Sequence, residues 1–147
     1  MINNKYLTQI EEKLDFYFGK KAPAMPENIK EFIVKYSPYL TLIALALSIP
    51  ALLLALGLSS AFMPLAYAGG YRPAFSLPSI ISLVAMILEI VALPGLFKRT
   101  KNSWELMFYA SLIMVLSYIF ALNIGSLIIG GAISFYVLFQ IKSYYKN

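Results

Sequence analysis

The chain of 147 residues is 60% hydrophobic and only 13% charged, whereas soluble domains average about 45–50% apolar and 25% charged residues, so the composition indicates a membrane protein. Its net charge of +5 comes from lysines and arginines at the ends of apolar segments, a pattern of membrane topology that does not require nucleic acid as a partner. The lack of cysteine and histidine excludes disulfides, thiolate or imidazole metal sites and the usual neutral-pH general base.

The first 36 residues are predicted to form two short amphipathic helices on the cytoplasmic side. Apolar residues recur at helical spacing in "KYLTQIEEKLDFYFGK", and Gly19 suits the end of that helix. The stretch "APAMP" interrupts the pattern, and "PENIKEFIVKYSP" restarts it with Pro26 at a favoured first-turn position. Flanking lysines fit helices that lie on the inner leaflet, but packing beneath the bundle or against a partner protein explains the apolar stripes equally well.

Four apolar segments follow, each close to the ~20 residues that cross a hydrocarbon core of ~30 Å. Unpaired backbone groups cost several kcal/mol in lipid, so each segment is expected to be a helix. The predicted spans lie at about 40–58, 79–97, 104–122 and 126–141. The predicted fold class is therefore an all-α membrane protein, with a cytoplasmic segment at 1–36 and a four-helix transmembrane domain at 37–147.

The basic residues predict the topology. They precede the first span, separate the second span from the third and follow the last, whereas Arg72 alone lies between the first and second. By the positive-inside rule, the chain is a multi-pass protein of the cell membrane with both termini in the cytoplasm. We expect no cleavable signal peptide, because the first long apolar run starts too late for one, and we expect the first span to act as an uncleaved anchor.

Aromatic residues and one long connection are predicted to lie at the membrane interfaces. The connection at 59–78, "SSAFMPLAYAGGYRPAFSLP", has the length of a lid or binding loop, but its aromatic residues fit an interfacial belt better. The third and fourth spans are joined tightly near "NIGS" and are expected to be antiparallel neighbours. Five aromatic residues at the cytoplasmic ends are predicted interface anchors: Trp104, Tyr36, Tyr39, Tyr144 and Tyr145.

The second span contains one acid, Glu89, in "ISLVAMILEIVALPGLFKR". At ~1.5 Å per residue it lies about 13–15 Å from either end of the span, too far for a glutamate to reach water. An ionised acid at this depth costs at least about 2.5–3.5 kcal/mol, which favours the protonated carboxyl as a hydrogen-bond donor. The predicted acceptors at matching depth are the hydroxyls of Ser48, Ser117 and Ser134.

Two prolines inside the predicted spans are expected to kink their helices. Pro94 leaves the carbonyl of Ile90 without its helical donor, and Pro50 does the same for Ala46. A freed carbonyl next to Glu89 is a further predicted acceptor for a protonated carboxyl.

Glu89 has two interpretations. As a functional residue, it is the proton or cation site of a small transporter or channel component, because intramembrane acids often mark such pathways. As a structural residue, it makes a neutral interhelical hydrogen bond of about 0.6–2 kcal/mol. We favour the structural interpretation, because transport sites usually gather several polar groups and here one acid accompanies scattered serines.

Small residues in the fourth span form a predicted packing row. Ser126, Gly130 and Ser134 stand four apart, which lets another helix approach closely, either the third span or a second copy of the chain. No catalytic constellation, glycine-rich phosphate loop or metal-ligand cluster stands out, so no enzyme activity and no cofactor are predicted. The predicted function is a non-catalytic assembly or anchoring subunit, with the lipid bilayer and itself or another membrane protein as partners.

Three stretches, "KKAPAMPENIKEFIVKYSPYL", "LPGLFKRTKNSWELMFY" and "YVLFQIKSYY", resemble a family of small, uncharacterised four-helix bacterial membrane proteins. The resemblance covers most of the chain and implies four membrane helices without implying a mechanism. Some members carry an automatic chromate-transporter label, which implies an oxyanion path. Such a path is expected to contain basic residues at mid-depth, whereas the charged residue at mid-depth here is an acid.

Overall fold

A computed structural model describes residues 5–55 and 76–146, together with the single positions 64 and 68. Within these ranges the regular structure is entirely helical, which confirms the predicted all-α class. The α-helices are α1 (Lys5–Leu14), α2 (Glu27–Ala55), α3 (Leu77–Phe97), α4 (Lys101–Phe120) and α5 (Gly131–Gln140). Two π-helical turns, Asp15–Lys21 and Ser126–Gly130, follow α1 and precede α5, and a 3₁₀ turn, Lys142–Tyr144, follows α5.

Among the described residues, three helices are long and apolar enough to cross a membrane: residues Glu27–Leu54 of α2, then α3 and α4. The fourth predicted span corresponds to Ser126–Gln140, which is apolar but shorter than 18 residues. Three candidate spans in a chain of this size indicate a membrane protein, as the composition predicts. Residues 56–58 of the first predicted span and most of the connection at 59–78 lie outside the described residues.

α2 begins earlier than the first predicted span. The sequence pattern predicts a separate amphipathic helix before residue 37, but Glu27–Ala55 is one continuous helix that contains Pro38 and Pro50. Each proline removes a single backbone donor, while Val34, only 1% exposed, packs into the hydrophobic core. The burial of Val34 and of Pro38 favours continuation of the helix through these turns, because tertiary packing supplies most of the stability of a helix in a protein.

The connections between α3, α4 and α5 are tight turns of one type. At the end of α3, the N–H of Thr100 donates to the carbonyl of Gly95 at 2.9 Å and that of Arg99 donates to Leu96 at 3.2 Å, the paired bonds of a Schellman motif. Arg99 has a φ of 54° and Leu122, in the same position after α4, has a φ of 53°. Such turns reverse the chain within a few residues and make consecutive helices antiparallel neighbours.

The helices pack mainly in chain order, α2 against α3, α3 against α4 and α4 against α5, and the π-helical turn after α1 packs against α5. The buried hydrophobic cluster lies where the end of α3, the start of α4 and the end of α5 meet. Along the rest of the long helices many large apolar side chains are exposed, including Leu47 at 74% and Val91 at 58%. Exposed apolar faces of this extent are typical of a surface covered by lipid or by another helix.

Trp104 is the centre of the buried cluster, which corrects its predicted place at the interface. Its ring is 2% exposed, stacks on Phe108 with centroids 5.6 Å apart, and donates its Nε1–H to the carbonyl of Leu138 at 2.8 Å. Tyr145 is also buried, whereas Tyr39 and Tyr36 are exposed as an interface anchor requires. The sequence gives the depth of an aromatic residue along a helix but not the face that it occupies.

Candidate functional site

Glu89 lies in the middle of α3 and is half-buried. Ala85 and Ala92, one turn before and after it, are fully buried, so Glu89 borders the face of α3 that packs against the other helices. No hydrogen bond or ion pair joins its carboxyl to another residue in the part of the chain that the structure describes. In an apolar span, a carboxyl in this position lacks the partner that its polarity requires.

Two of the predicted hydrogen-bond partners of Glu89 are exposed and make no hydrogen bond to its carboxyl in the described structure. The hydroxyl of Ser48 is exposed and donates to the carbonyl of Ala44 in its own helix at 2.6 Å. Ser134 is exposed on α5. Serine hydroxyls in helices readily bond the carbonyl four residues back, which for Ser48 competes with an interhelical bond.

Ser117 takes part in a different polar contact between α3 and α4. It is 4% exposed, and its Oγ donates to the carbonyl of Pro78 at 3.0 Å and lies 2.8 Å from Oγ of Ser82. This contact lies near the start of α3, about two helical turns from Glu89. The structure therefore does not bring the predicted serines together around Glu89. Ser82, which the sequence analysis did not single out, is the polar residue that meets Ser117.

The predicted kink residues lie within continuous helices. Pro50 is half-buried in α2, and Pro94 is exposed in the last turn of α3. Their rings leave the carbonyls of Ala46 and Ile90 without the usual helical donor. Neither carbonyl accepts a hydrogen bond from Glu89.

The small residues before α5 approach α4 through two adjacent glycines. A Cβ added at Gly131 would lie 3.4 Å from Cγ2 of Val115, and one added at Gly130 would lie 3.5 Å from the ring of Tyr118. Ser126 and Gly130 are half-buried and Ser134 is exposed. The predicted row crosses the π-helical turn at Ser126–Gly130, whose i→i+5 repeat is wider than that of an α-helix.

Gln140 fixes the N-terminal segment against α5. Its side chain is 5% exposed, its Nε2 donates to the carbonyl of Phe18 at 2.9 Å, and its Oε1 accepts from the N–H of Met25 at 3.1 Å. The hydroxyl of Tyr136 donates to the carbonyl of Pro23 at 2.7 Å. Residues 18–25 therefore pack against α5 of the same chain.

A salt bridge joins α1 to the C-terminal end of the chain. Nζ of Lys142 lies 2.8 Å from Oε1 of Glu11 and 4.8 Å from the ring centroid of Trp104. Gln140 and Glu11 are polar residues that the sequence analysis did not single out. A lone amide within the apolar stretch "YVLFQIKSYY" is the signal that identifies Gln140, because a buried amide needs partners.

The substitution Gln140→Leu tests this attachment. It keeps the volume of the side chain but leaves the carbonyl of Phe18 and the N–H of Met25 without partners, a loss of about 1–2 kcal/mol. We expect faster tryptic cleavage after Lys20 and Lys21, which lie in the attached segment. The control Gln9→Leu changes the other glutamine of the chain, on the exposed face of α1, and is expected to leave cleavage unchanged. Equal cleavage of all three proteins would contradict the role of Gln140.

Comparison with known proteins gives no match, whether to a family model, to a curated protein or to a solved structure. The resemblance to small bacterial membrane proteins therefore stays a prediction, and function must be argued from Glu89, the exposed helix faces and the attached N-terminal segment.

Proposed function

We propose that this chain is a non-catalytic, four-span integral membrane protein, with both termini cytoplasmic, that acts as a membrane-embedded assembly or anchoring subunit. The observation that carries the proposal is the carboxyl of Glu89, which is half-buried in the middle of α3 and has no partner in the described part of the chain. A carboxyl in hydrocarbon requires a hydrogen-bonding partner. We assign that partner to a second polypeptide, either another copy of this chain or another membrane protein.

The exposed faces of the helices support an assembly role. In the most apolar 18-residue stretches of α2, α3 and α4, only 11%, 17% and 28% of the residues are buried within the chain. α2 packs chiefly on α3, so much of its surface is open to lipid or to another helix. Lipid covers apolar side chains at no cost, but it offers no hydrogen bond to a carboxyl, so the face with Glu89 is the one that needs a protein partner.

The fourth span is part of the proposal. Ser126–Gln140 measures about 22 Å at ~1.5 Å per residue, less than the ~30 Å of a typical hydrocarbon core. A short span is accommodated by local thinning of the bilayer and by flanking side chains that reach the interface. Lys142 follows directly, and its position at the same end as Lys101 agrees with both chain termini in the cytoplasm.

The mass of the purified assembly tests the proposal. The full chain is extracted in mild detergent and measured by size-exclusion chromatography with light scattering, together with identification of any protein that co-purifies. We expect the wild type and Glu89→Gln to form the same complex, because an amide retains hydrogen bonding, and Glu89→Leu to release the free chain. The control Val84→Leu alters an exposed apolar residue of the same helix and should keep the complex. The proposal would be overturned if the wild type purifies as a monomer with no other protein, or if Glu89→Leu keeps the complex intact.

The same unpaired carboxyl also favours a second candidate, a proton- or cation-linked transporter or channel component. Glu89→Gln separates the two, because its amide cannot exchange a proton. In proteoliposomes with an imposed proton or sodium gradient, a transporter is expected to show a flux that the folded Glu89→Gln variant lacks. The assembly subunit is expected to show no flux in either form.

A further inference from the structure

An open cleft of about 570 Å³ lies where the N-terminal π-helical turn, the start of α4 and the C-terminal end of the chain meet. This volume is within the range of about 300–1,000 Å³ that is typical of small-ligand sites. Trp104 and Gln140 form part of its wall. Its charged lining consists of Asp15, Lys20, Lys30, Lys101, Lys142 and Lys146.

The cleft retains a positive charge after its ion pairs are counted. Three lysines lie within 4 Å of a carboxylate: Lys20 with Asp15 at 3.7 Å, Lys101 with Glu105 at 3.8 Å and Lys142 with Glu11 at 2.8 Å. Lys30 and Lys146 have no carboxylate within this distance among the described residues. Among the described residues, five ammonium groups therefore face three carboxylates, even when Glu11 and Glu105 at the margin are included.

Part of this charge is held in place before any ligand binds. Nζ of Lys142 lies 4.8 Å above the ring centroid of Trp104 and 5.6 Å from that of Phe139, and both rings are buried. The adjacent Gln140 is fixed by its bonds to the N-terminal segment. An ammonium group positioned by buried neighbours loses less side-chain entropy on binding an anion than a free surface lysine does.

We propose that this cleft binds a phosphate group, presented either by the headgroup of an anionic phospholipid or by a soluble phosphorylated molecule. Lysine ammonium groups are common phosphate ligands, acting as point charges. The cleft lies at the end of the membrane helices, and basic pockets on the cytoplasmic side of such helices bind anionic headgroups. The proposal does not depend on Glu89, which lies in the middle of α3.

Trp104 provides the measurement, because it is the one tryptophan of the chain and lines the cleft. The full chain in uncharged detergent is titrated with dihexanoyl phosphatidic acid, with pyrophosphate and with dihexanoyl phosphatidylcholine. We expect a saturable change in fluorescence with at least one of the two anions and none with the zwitterionic lipid. A response to phosphatidic acid alone identifies the headgroup as the source, and one to pyrophosphate identifies a soluble anion. No saturable response, or an equal one to phosphatidylcholine, would overturn the proposal.

The double variant Lys30→Gln with Lys146→Gln tests the cleft itself. Both lysines lack a carboxylate partner in the described chain, so folding is expected to be unaffected, and the apparent Kd for the anion is expected to rise at least tenfold. The matched control Lys13→Gln with Lys98→Gln removes the same charge outside the cleft and is expected to change the Kd less than twofold. An equal loss of affinity in both double variants would mean that net charge alone attracts the anion, and the proposed site would be wrong.

Discussion

Replacing Trp104 by alanine is expected to lower the free energy of unfolding by about 3–5 kcal/mol, the usual cost of removing a large buried aromatic side chain. The indole is 2% exposed and contacts both Phe108 and Phe139. Its loss also leaves the carbonyl of Leu138 without its donor. Unfolding in mixed detergent micelles, followed by far-ultraviolet circular dichroism, measures the change.

Two further variants separate the contributions of Trp104. Trp104→Phe keeps an aromatic ring but removes the hydrogen bond to Leu138, and we expect an intermediate loss of about 1–3 kcal/mol. Phe120→Ala removes an aromatic ring that is 55% exposed at the opposite end of α4, and it should cost less than 1 kcal/mol. If Phe120→Ala costs as much as Trp104→Ala, stability does not reside in the buried cluster.

Gly95→Ala is the second large expected effect, a net loss of about 2 kcal/mol. A Cβ at this position would lie 2.6 Å from Oγ1 of Thr100 and 2.7 Å from Cβ of Ser103. Thr100 caps α4 by accepting from the N–H of Ser103, so it cannot move away without loosening the turn between α3 and α4. Thermal unfolding in detergent gives the comparison with the wild type.

The matched control is Gly125→Ala, in the helical turn that leads to α5. There the nearest atom to an added Cβ is Oδ1 of Asn123 at 3.8 Å, which is ordinary contact. Alanine has a higher helix propensity than glycine by up to about 1 kcal/mol, so Gly125→Ala is expected to be neutral or stabilising. Stabilisation by both substitutions would show that α3 and α4 do not approach closely at Gly95.

The helical class and the three candidate spans of the described structure could be predicted from the sequence, because an apolar run of about 20 residues has few alternatives to a helix in lipid. Ser76, directly before α3, accepts a hydrogen bond from the N–H of Ser79 as an N-cap, so α3 begins two residues before the predicted span. The extent of α2 was less predictable. The polarity of residues 27–36 suggests a separate element, whereas burial of Val34 joins them to the long helix.

The predicted packing row assumes a regular α-helix, and the spacing of Ser126, Gly130 and Ser134 crosses a π-helical turn with a different repeat. The predicted serine partners of Glu89 were placed by spacing along the helices in the same way. Matching depths along antiparallel helices do not determine which way a side chain faces, and Ser48 is satisfied within its own helix.

By itself, the sequence indicated a membrane protein and determined the approximate positions of α3 and α4 and the isolation of Glu89 among apolar residues, because these depend on composition and on separation along the chain. Only the tertiary structure decided which side chains meet. It buried Trp104, paired Gln140 with the N-terminal segment and gathered lysines from four separate segments into one cleft. Those outcomes depend on the rotation of each helix about its axis and on contacts between distant residues, and a hydropathy pattern records neither.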